Sequence, residues 1–210
     1  MDLSTSSFEA GGVIPARFAF AEADPVSRVA LAGNVNPELS WGDVPIGTRS
    51  FALICHDPDV PSVGDDVNQP DREVPSDLPR VDFFHWVLVD LPSSLGSIAE
   101  GEFADGVVAR GKSERSGPHG SRRGLNDYTG WFAGDPEMGG QYFCYDGPAP
   151  PWNDSIIHHY VFTLYALEVE HVDVEGDFTG PHVREAMAGH ILAEASVIGT
   201  YTQNPRLIAG

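Results

Sequence analysis

Apolar residues fall along this chain in short blocks separated by proline, glycine and aspartate, which is the spacing of strands and turns. Ser50-Phe51-Ala52-Leu53-Ile54-Cys55-His56 is apolar on both faces, as a strand buried between two layers would be, and it stops at Asp57-Pro58-Asp59-Val60-Pro61. Phe83 to Leu91 is the next strong strand. Regular alternation would put Phe83, His85, Val87 and Val89 on one face and Phe84, Trp86 and Leu88 on the other. Val161 to Leu167 is rich in β-branched and aromatic residues, and Val197 to Tyr201 completes the core. Residues 8 to 35 predict turns and short strands with no catalytic candidate. Pro181 can start a helix in which Val183, Met187, Ile191 and Leu192 share one face, ending near Ala195. The expected fold is mainly β, a β-sandwich with one or two peripheral helices, and residues 1–210 are expected to form a single domain.

Two irregular stretches interrupt this pattern. Ser62 to Arg80 is polar, rich in Asp and Pro, and is expected to be an exposed, mobile insertion. Gly106 to Asn126 holds Arg110, Lys112, Arg115, Arg122 and Arg123, so it reads either as a solvated flexible loop or as a basic patch that steers an anion. Asn126 to Phe132 mixes aromatic and polar residues and suits a pocket rim.

Charge narrows the partners. Thirty-one acidic residues against 12 basic ones leave a formal charge of -19, which disfavours nucleic acid and anionic membrane surfaces. No secretory signal and no stretch long enough for a membrane span is evident, so a cytoplasmic location and no integral membrane segment are expected. Cys55 and Cys144 sit in apolar surroundings and are expected to be buried free thiols, with a disulfide as the alternative.

Walker, dinucleotide-binding, Gly-x-Ser-x-Gly and His-Glu-x-x-His signatures are absent from the sequence. What remains is a set of polar side chains at strand ends: Asp57, Asp59, His85, His158, His159 and Tyr160. The turn Asp57 to Pro61 suits an Asx turn or a pair of functional carboxylates. Between Tyr145 and Tyr160, Pro148, Pro150 and Pro151 stiffen a corner, and Gly147 allows positive φ or a close backbone approach.

Three motifs in order, Asp57-Pro58-Asp59-Val60-Pro61, His85-Trp86-Val87-Leu88, and Tyr145 to Pro151 followed by His158 and Tyr160, resemble the phosphatidylethanolamine-binding protein family. The likeness is to its bacterial and archaeal, Raf kinase inhibitor-like branch, over about Leu39 to Tyr201. The resemblance implies a pocket for phosphate-like anions or phospholipid head groups, with Asp57 and His85 on one wall and Gly147, Pro150, Pro151, His158 and Tyr160 on the other. Asp59, Trp152 and His159 are expected at its rim. The family's usual His-Arg-Tyr is here His158-His159-Tyr160, and Trp152 to Ile157 is unusually bulky.

A small anionic ligand (phosphate, a phosphate ester or a carboxylate) is therefore expected to lie between His85 and His158 as imidazolium ions, with Asp57 orienting an imidazole and Tyr160 donating its hydroxyl. No cofactor and no metal is expected. A protein partner such as a kinase or protease, and a homodimer, are compatible with the resemblance. The alternative is a hydrolase or lyase acting on a small phosphoester through His85 or His158, with Asp57 as orienter. A metal site of His56, Asp57, His85 and His158 is a lesser one.

Overall fold

The computed structural model describes residues 1–208. Its strands are β1 (Asp2–Ser4), β2 (Ala21–Asp24), β3 (Arg28–Leu31), β4 (Leu39–Gly42), β5 (Ser50–Pro61), β6 (Arg80–Pro92), β7 (Ser97–Ile98), β8 (Arg122–Arg123), β9 (His158–Leu167) and β10 (Ile191–Tyr201). The helices are short: α1 (Tyr128–Trp131), α2 (Gly180–Ala186) and α3 (Pro205–Ile208). One antiparallel sheet has the order β10-β9-β5-β6-β8, a second has β1-β4-β7, and β2-β3 is a separate hairpin; neither larger sheet closes on itself.

β5 is apolar on both faces because both are covered. Phe51, Leu53 and Cys55 join Leu39, Trp41 and Ile98 of the smaller sheet in one core. Ala52 and Ile54 face the other way, toward Val172, Val174, Phe178, Val183 and Met187 on α2 and its approach. A mainly β sandwich flanked by helix is thus what the two-faced strand requires. Cys55 and Cys144 are both buried and unbonded, and burial pushes the Cys144 thiol up to about 11.

β6 departs from regular alternation at the residue that matters most. Cys55 pairs with Trp86 while His56 pairs with Phe84, so His85 is the extra residue of a β-bulge. The bulge turns His85 to the same side as Phe83, Trp86 and Leu88, and leaves Phe84, Val87 and Val89 on the α2 side. Strict alternation would have separated His85 from Trp86 and grouped it with Val87.

The C-terminal helix is shorter than its apolar spacing predicts. Pro181 sits in the first turn of α2, and Val183 and Met187 are buried as expected. Gly189 then adopts φ +87°, a left-handed stop that Gly alone takes freely. Ile191 and Leu192 instead enter β10, where pairing with β9 overrides the helical spacing.

Neither irregular stretch is free. In 62–79, Asn153 donates to the carbonyls of Asp66 (2.8 Å), Gln69 (3.2 Å) and Arg72 (3.0 Å), and its own Oδ1 accepts from the Asn68 amide at 2.9 Å. Val74, fully buried, bridges to Asp154, so this segment is anchored along Trp152 to Ser155. The basic residues of 106–126 are engaged locally. Arg115 pairs with Asp177, Arg122 with Asp90, and Lys112 with buried Asp146, while Arg110 bonds the Pro136 carbonyl and Arg123 lies 3.9 Å from Glu114. Each of these five is thus held by a local partner, a carboxylate for four and a backbone carbonyl for Arg110.

Candidate functional site

A cleft of about 380 Å³ opens beside the C-terminal half of β5. Asp57 and His85 stand at its polar end with His158 and Tyr160; Pro150 and Pro151 form one wall. Most of the remaining lining is apolar, and part of it comes from the Asn126 to Phe132 stretch whose mixed composition suited a pocket rim. Phe20, Val29 and Leu31 come from the β2–β3 region, Val63 and Val67 from the anchored loop, and Phe83, Tyr128, Trp131 and Phe132 from β6 and α1.

The polar end is built from a chain of alternating charges. Asp57 Oδ1 accepts the Asp59 amide at 2.8 Å, which is the Asx turn, and Oδ2 accepts His158 Nδ1 at 2.7 Å. His158 Nε2 meets Asp154 Oδ2 at 3.1 Å, and Asp154 receives both terminal nitrogens of Arg80, at 2.6 and 3.1 Å. His158 is completely buried. Burial opposes its charge, but the hydrogen bonds and charges of Asp154 and Asp57 outweigh it and raise the imidazole to about 9. With a carboxylate on each nitrogen, His158 lines the cleft without an N–H to offer an anion. Asp57 therefore accepts an imidazole N–H, that of His158, from a position inside β5.

His85 is the opposite case. Its Nδ1 lies 2.7 Å from the Asp146 carbonyl, an acceptor only, so Nδ1 carries the proton and Nε2 is left as an acceptor. Phe83, Tyr128 and Tyr160 surround the ring at 4.9, 5.6 and 5.1 Å. Burial pulls this histidine down to about 4, against the opposing charge of Asp57, so it is neutral at pH 7. Tyr160 also stays neutral, held up by burial and then by the neighbouring Asp57 carboxylate. The pair of imidazolium ions expected from the sequence is therefore one locked imidazolium and one neutral imidazole.

Behind the wall lies a second polar hub. The Asp146 carboxylate accepts Asn34 and Asn126, each at 2.8 Å, and Lys112 at 3.3 Å; burial raises it while these partners lower it. Gly147 belongs to this hub and not to the lining: its amide donates to Asn34 Oδ1 and its carbonyl accepts the Tyr128 hydroxyl, both at 2.8 Å. The expected rim residues also lie elsewhere. Asp59 Oδ2 accepts the His159 amide at 2.9 Å and lies 2.8 Å from its Nδ1, and Trp152 stacks under Arg28 at 4.2 Å. His56 faces α2 beside Phe84, so His56, Asp57, His85 and His158 do not converge on one metal position. Among the described residues no cluster of three or more His, Cys, Asp or Glu is placed to hold a metal, and no helix is long and apolar enough to cross a membrane.

Asp154, Arg80 and Asn34 are functional-site neighbours that sequence reasoning missed; Asn126 lay at the edge of the stretch expected at a pocket rim. The four-residue spacing of Asp154 and His158 is the one signal that could have exposed the clamp, whereas the partners of a buried Asn leave no trace in a linear pattern.

Comparison with known proteins identifies the family and the fold. The sequence model of the phosphatidylethanolamine-binding protein family matches residues 4–202. A UPF0098 protein of Methanothermobacter thermautotrophicus is 33% identical over 201 residues, covering 96% of this chain and 98% of the relative. The UPF0098 protein YbhB of Escherichia coli strain K12 is 32% identical over 171 residues, covering 80% and 82%. Among solved structures, Escherichia coli YbcL, described as a new member of the mammalian PEBP family, shares the fold with a TM-score of 0.67 at 22% identity, over 96% of this chain and 97% of that one. A phosphatidylethanolamine-binding protein homologue of Chlamydia trachomatis gives 0.59 at 28% identity, over 95% of each chain.

Proposed function

Because the chain belongs to the phosphatidylethanolamine-binding protein family, we propose that it is a non-enzymatic binding protein whose cleft takes a small ligand with a phosphate-like or carboxylate head and an apolar body. The observation that carries this reading is His85 Nε2, a ring nitrogen without a partner among the described residues, set among aromatic rings at the polar end of an otherwise apolar cleft. The body packs against Phe20, Phe83, Tyr128, Trp131 and Phe132, and the head meets His85 and Tyr160 beside Asp57.

A neutral His85 presents an acceptor, so an anionic head has to arrive with a proton or leave one on the ring. A phosphate monoester, whose second pKa is about 6, carries that proton as P–OH in its monoanion. Either route takes up a proton, so affinity decreases as pH rises. Phenyl phosphate is a suitable probe because its ring matches the aromatic lining. By calorimetry it is expected to bind more tightly than inorganic phosphate, and roughly fiftyfold more weakly at pH 8 than at pH 6, the ratio of monoanion present at the two pH values for a second pKa of about 6. His85→Ala is expected to weaken it at least about tenfold, about 1.4 kcal/mol. The reading fails if wild type and His85→Ala bind alike with a flat pH profile.

The hydrolase or lyase alternative has one supporting observation, the same unpartnered Nε2 as a general base. At a pKa of about 4 it is a weak base at neutral pH, which favours the binding reading.

A further inference from the structure

A second cavity, of about 520 Å³, adjoins the first; Gln203 lines both, and Pro151 of the first is followed in sequence by Trp152 and Asn153 of the second. Three of the chain's 12 basic residues line it: Arg28, Arg72 and Arg206. On a chain with a net charge of -19, three guanidinium groups around one hollow are a marked local reversal.

Of the acidic groups nearby, Asp24 lines the cavity and keeps its charge, its hydrogen bonds holding it below the usual carboxylate range, while Asp66 and Glu73 are paired with arginines. Asp24 Oδ1 accepts the amides of Val26 and Ser27 and the Ser27 hydroxyl, which closes the β2–β3 turn. Asp66 pairs with Arg72 and Glu73 with Arg206, in exposed ion pairs of the kind that hold little free energy and yield readily to a stronger anion.

Arg28 has no carboxylate partner among the described residues. Its guanidinium lies over the Trp152 ring at 4.2 Å, and its backbone holds φ +70°, a left-handed conformation that costs a non-glycine residue free energy. A guanidinium held by stacking keeps its N–H fork for a bidentate acceptor such as a phosphate. Gln203 adds a buried polar edge between the cavities: its amide nitrogen donates to the Ala21 carbonyl at 3.2 Å, and its Oε1 is buried without a partner among the described residues. An occupant that also carries a donor would satisfy that oxygen.

We propose that this cavity is a second, separate binding site for a small multiply charged anion of the pyrophosphate class, gripped by Arg28 on its Trp152 platform and by Arg72 and Arg206 once their surface carboxylates are displaced. The site does not depend on the ligand reading of the first cleft, since none of its arginines lines that cleft.

Pyrophosphate titrated into the full chain at low ionic strength, followed by calorimetry and tryptophan emission, tests the site. Wild type is expected to bind saturably. Arg28→Gly is expected to weaken binding at least about tenfold, while its thermal midpoint stays level or rises because glycine is unstrained at φ +70°. Arg28→Lys, which keeps the charge and loses the fork, is expected to fall between the two. His85→Ala is expected to bind pyrophosphate as wild type does. Absence of saturable binding, wild-type affinity in Arg28→Gly, or loss of binding in His85→Ala would each overturn the assignment, the last by placing the anion in the first cleft.

Discussion

Asp154→Ala is expected to destabilise the fold by about 3–5 kcal/mol, the cost of leaving buried charge without its counterion. Asp154 stands between two cations, His158 and Arg80, and the His158 and Asp154 side chains are almost completely buried. Removing the carboxylate leaves Asp57 as the one remaining partner of His158 and strips Arg80 of both its carboxylate bonds. The same clamp shapes the response of stability to pH. His158 titrates near 6.5 when unfolded and near 9 when folded, so the stability it contributes is complete below pH 6.5 and is lost as pH rises through 9. A shift of that size corresponds to a contribution on the order of 3 kcal/mol. His85 acts on the other limb: with a folded value of about 4 it is kept neutral, so stability declines as pH falls from 6.5 toward 4. Chemical unfolding from pH 4 to 9.5 should therefore peak near pH 6.5. In Asp154→Ala the alkaline decline should be shallower, since His158 has lost one of the two partners that raised it. A variant with wild-type stability and an unchanged alkaline limb would show that the clamp does not hold His158 charged.

That clamp and the bulge beside it also mark where sequence reading succeeds and where it stops. The Asx bond from the Asp59 amide to Asp57 was legible, but the strand does not stop there: β5 runs on to Pro61, with Val60 paired to Val81 and Pro61 to Arg80 after a register shift that absorbs the turn residues. The His85 bulge was not, because a period-2 pattern carries no mark of an inserted residue, and one inserted residue reassigns each side chain beyond it. The end of α2 was half legible. Gly189 is an ordinary helix stop, but Ile191 and Leu192 continue the helical spacing, and only the partner strand β9 decides between the two. The loop from Ser62 looked unstructured because its order comes from outside it, from one buried side chain, Asn153, that satisfies three of its carbonyls. Charge was the least transferable signal. Five basic residues in 106–126 suggested a surface field, yet each is engaged by a neighbour distant in sequence or by the loop itself.

Gly147→Ala is expected to cost about 3–5 kcal/mol and to abolish ligand binding, although Gly147 touches no part of the cleft. The sequence left two reasons for a glycine here, positive φ or close backbone approach, and the second applies: φ is not left-handed, but a Cβ would overlap the Phe18 carbonyl oxygen. That oxygen also accepts the Tyr145 hydroxyl at 2.7 Å, in the core beneath the cleft. Backbone cannot yield as a side-chain tip can, so relief requires the Phe18 turn and the Gly147 segment to separate. Overpacking of this kind costs about 1–3 kcal/mol, and each buried hydrogen bond broken with it about 1–3 more. The bonds at risk are those from Tyr145 to Phe18, from Gly147 to Asn34 and from Tyr128 to Gly147. Losing the last would release Tyr128, which packs against His85 and forms part of the cleft wall, so binding should fail together with stability. Gly130→Ala is the matched control, since a Cβ there meets open space within α1 and should be neutral or stabilising by about 0.5–1 kcal/mol. Denaturant unfolding of the two variants side by side separates close approach from a general intolerance of substitution. A Gly147→Ala protein within about 0.5 kcal/mol of wild type, the range of an ordinary surface change, would mean that the wall between Phe18 and Pro150 gives way without loss.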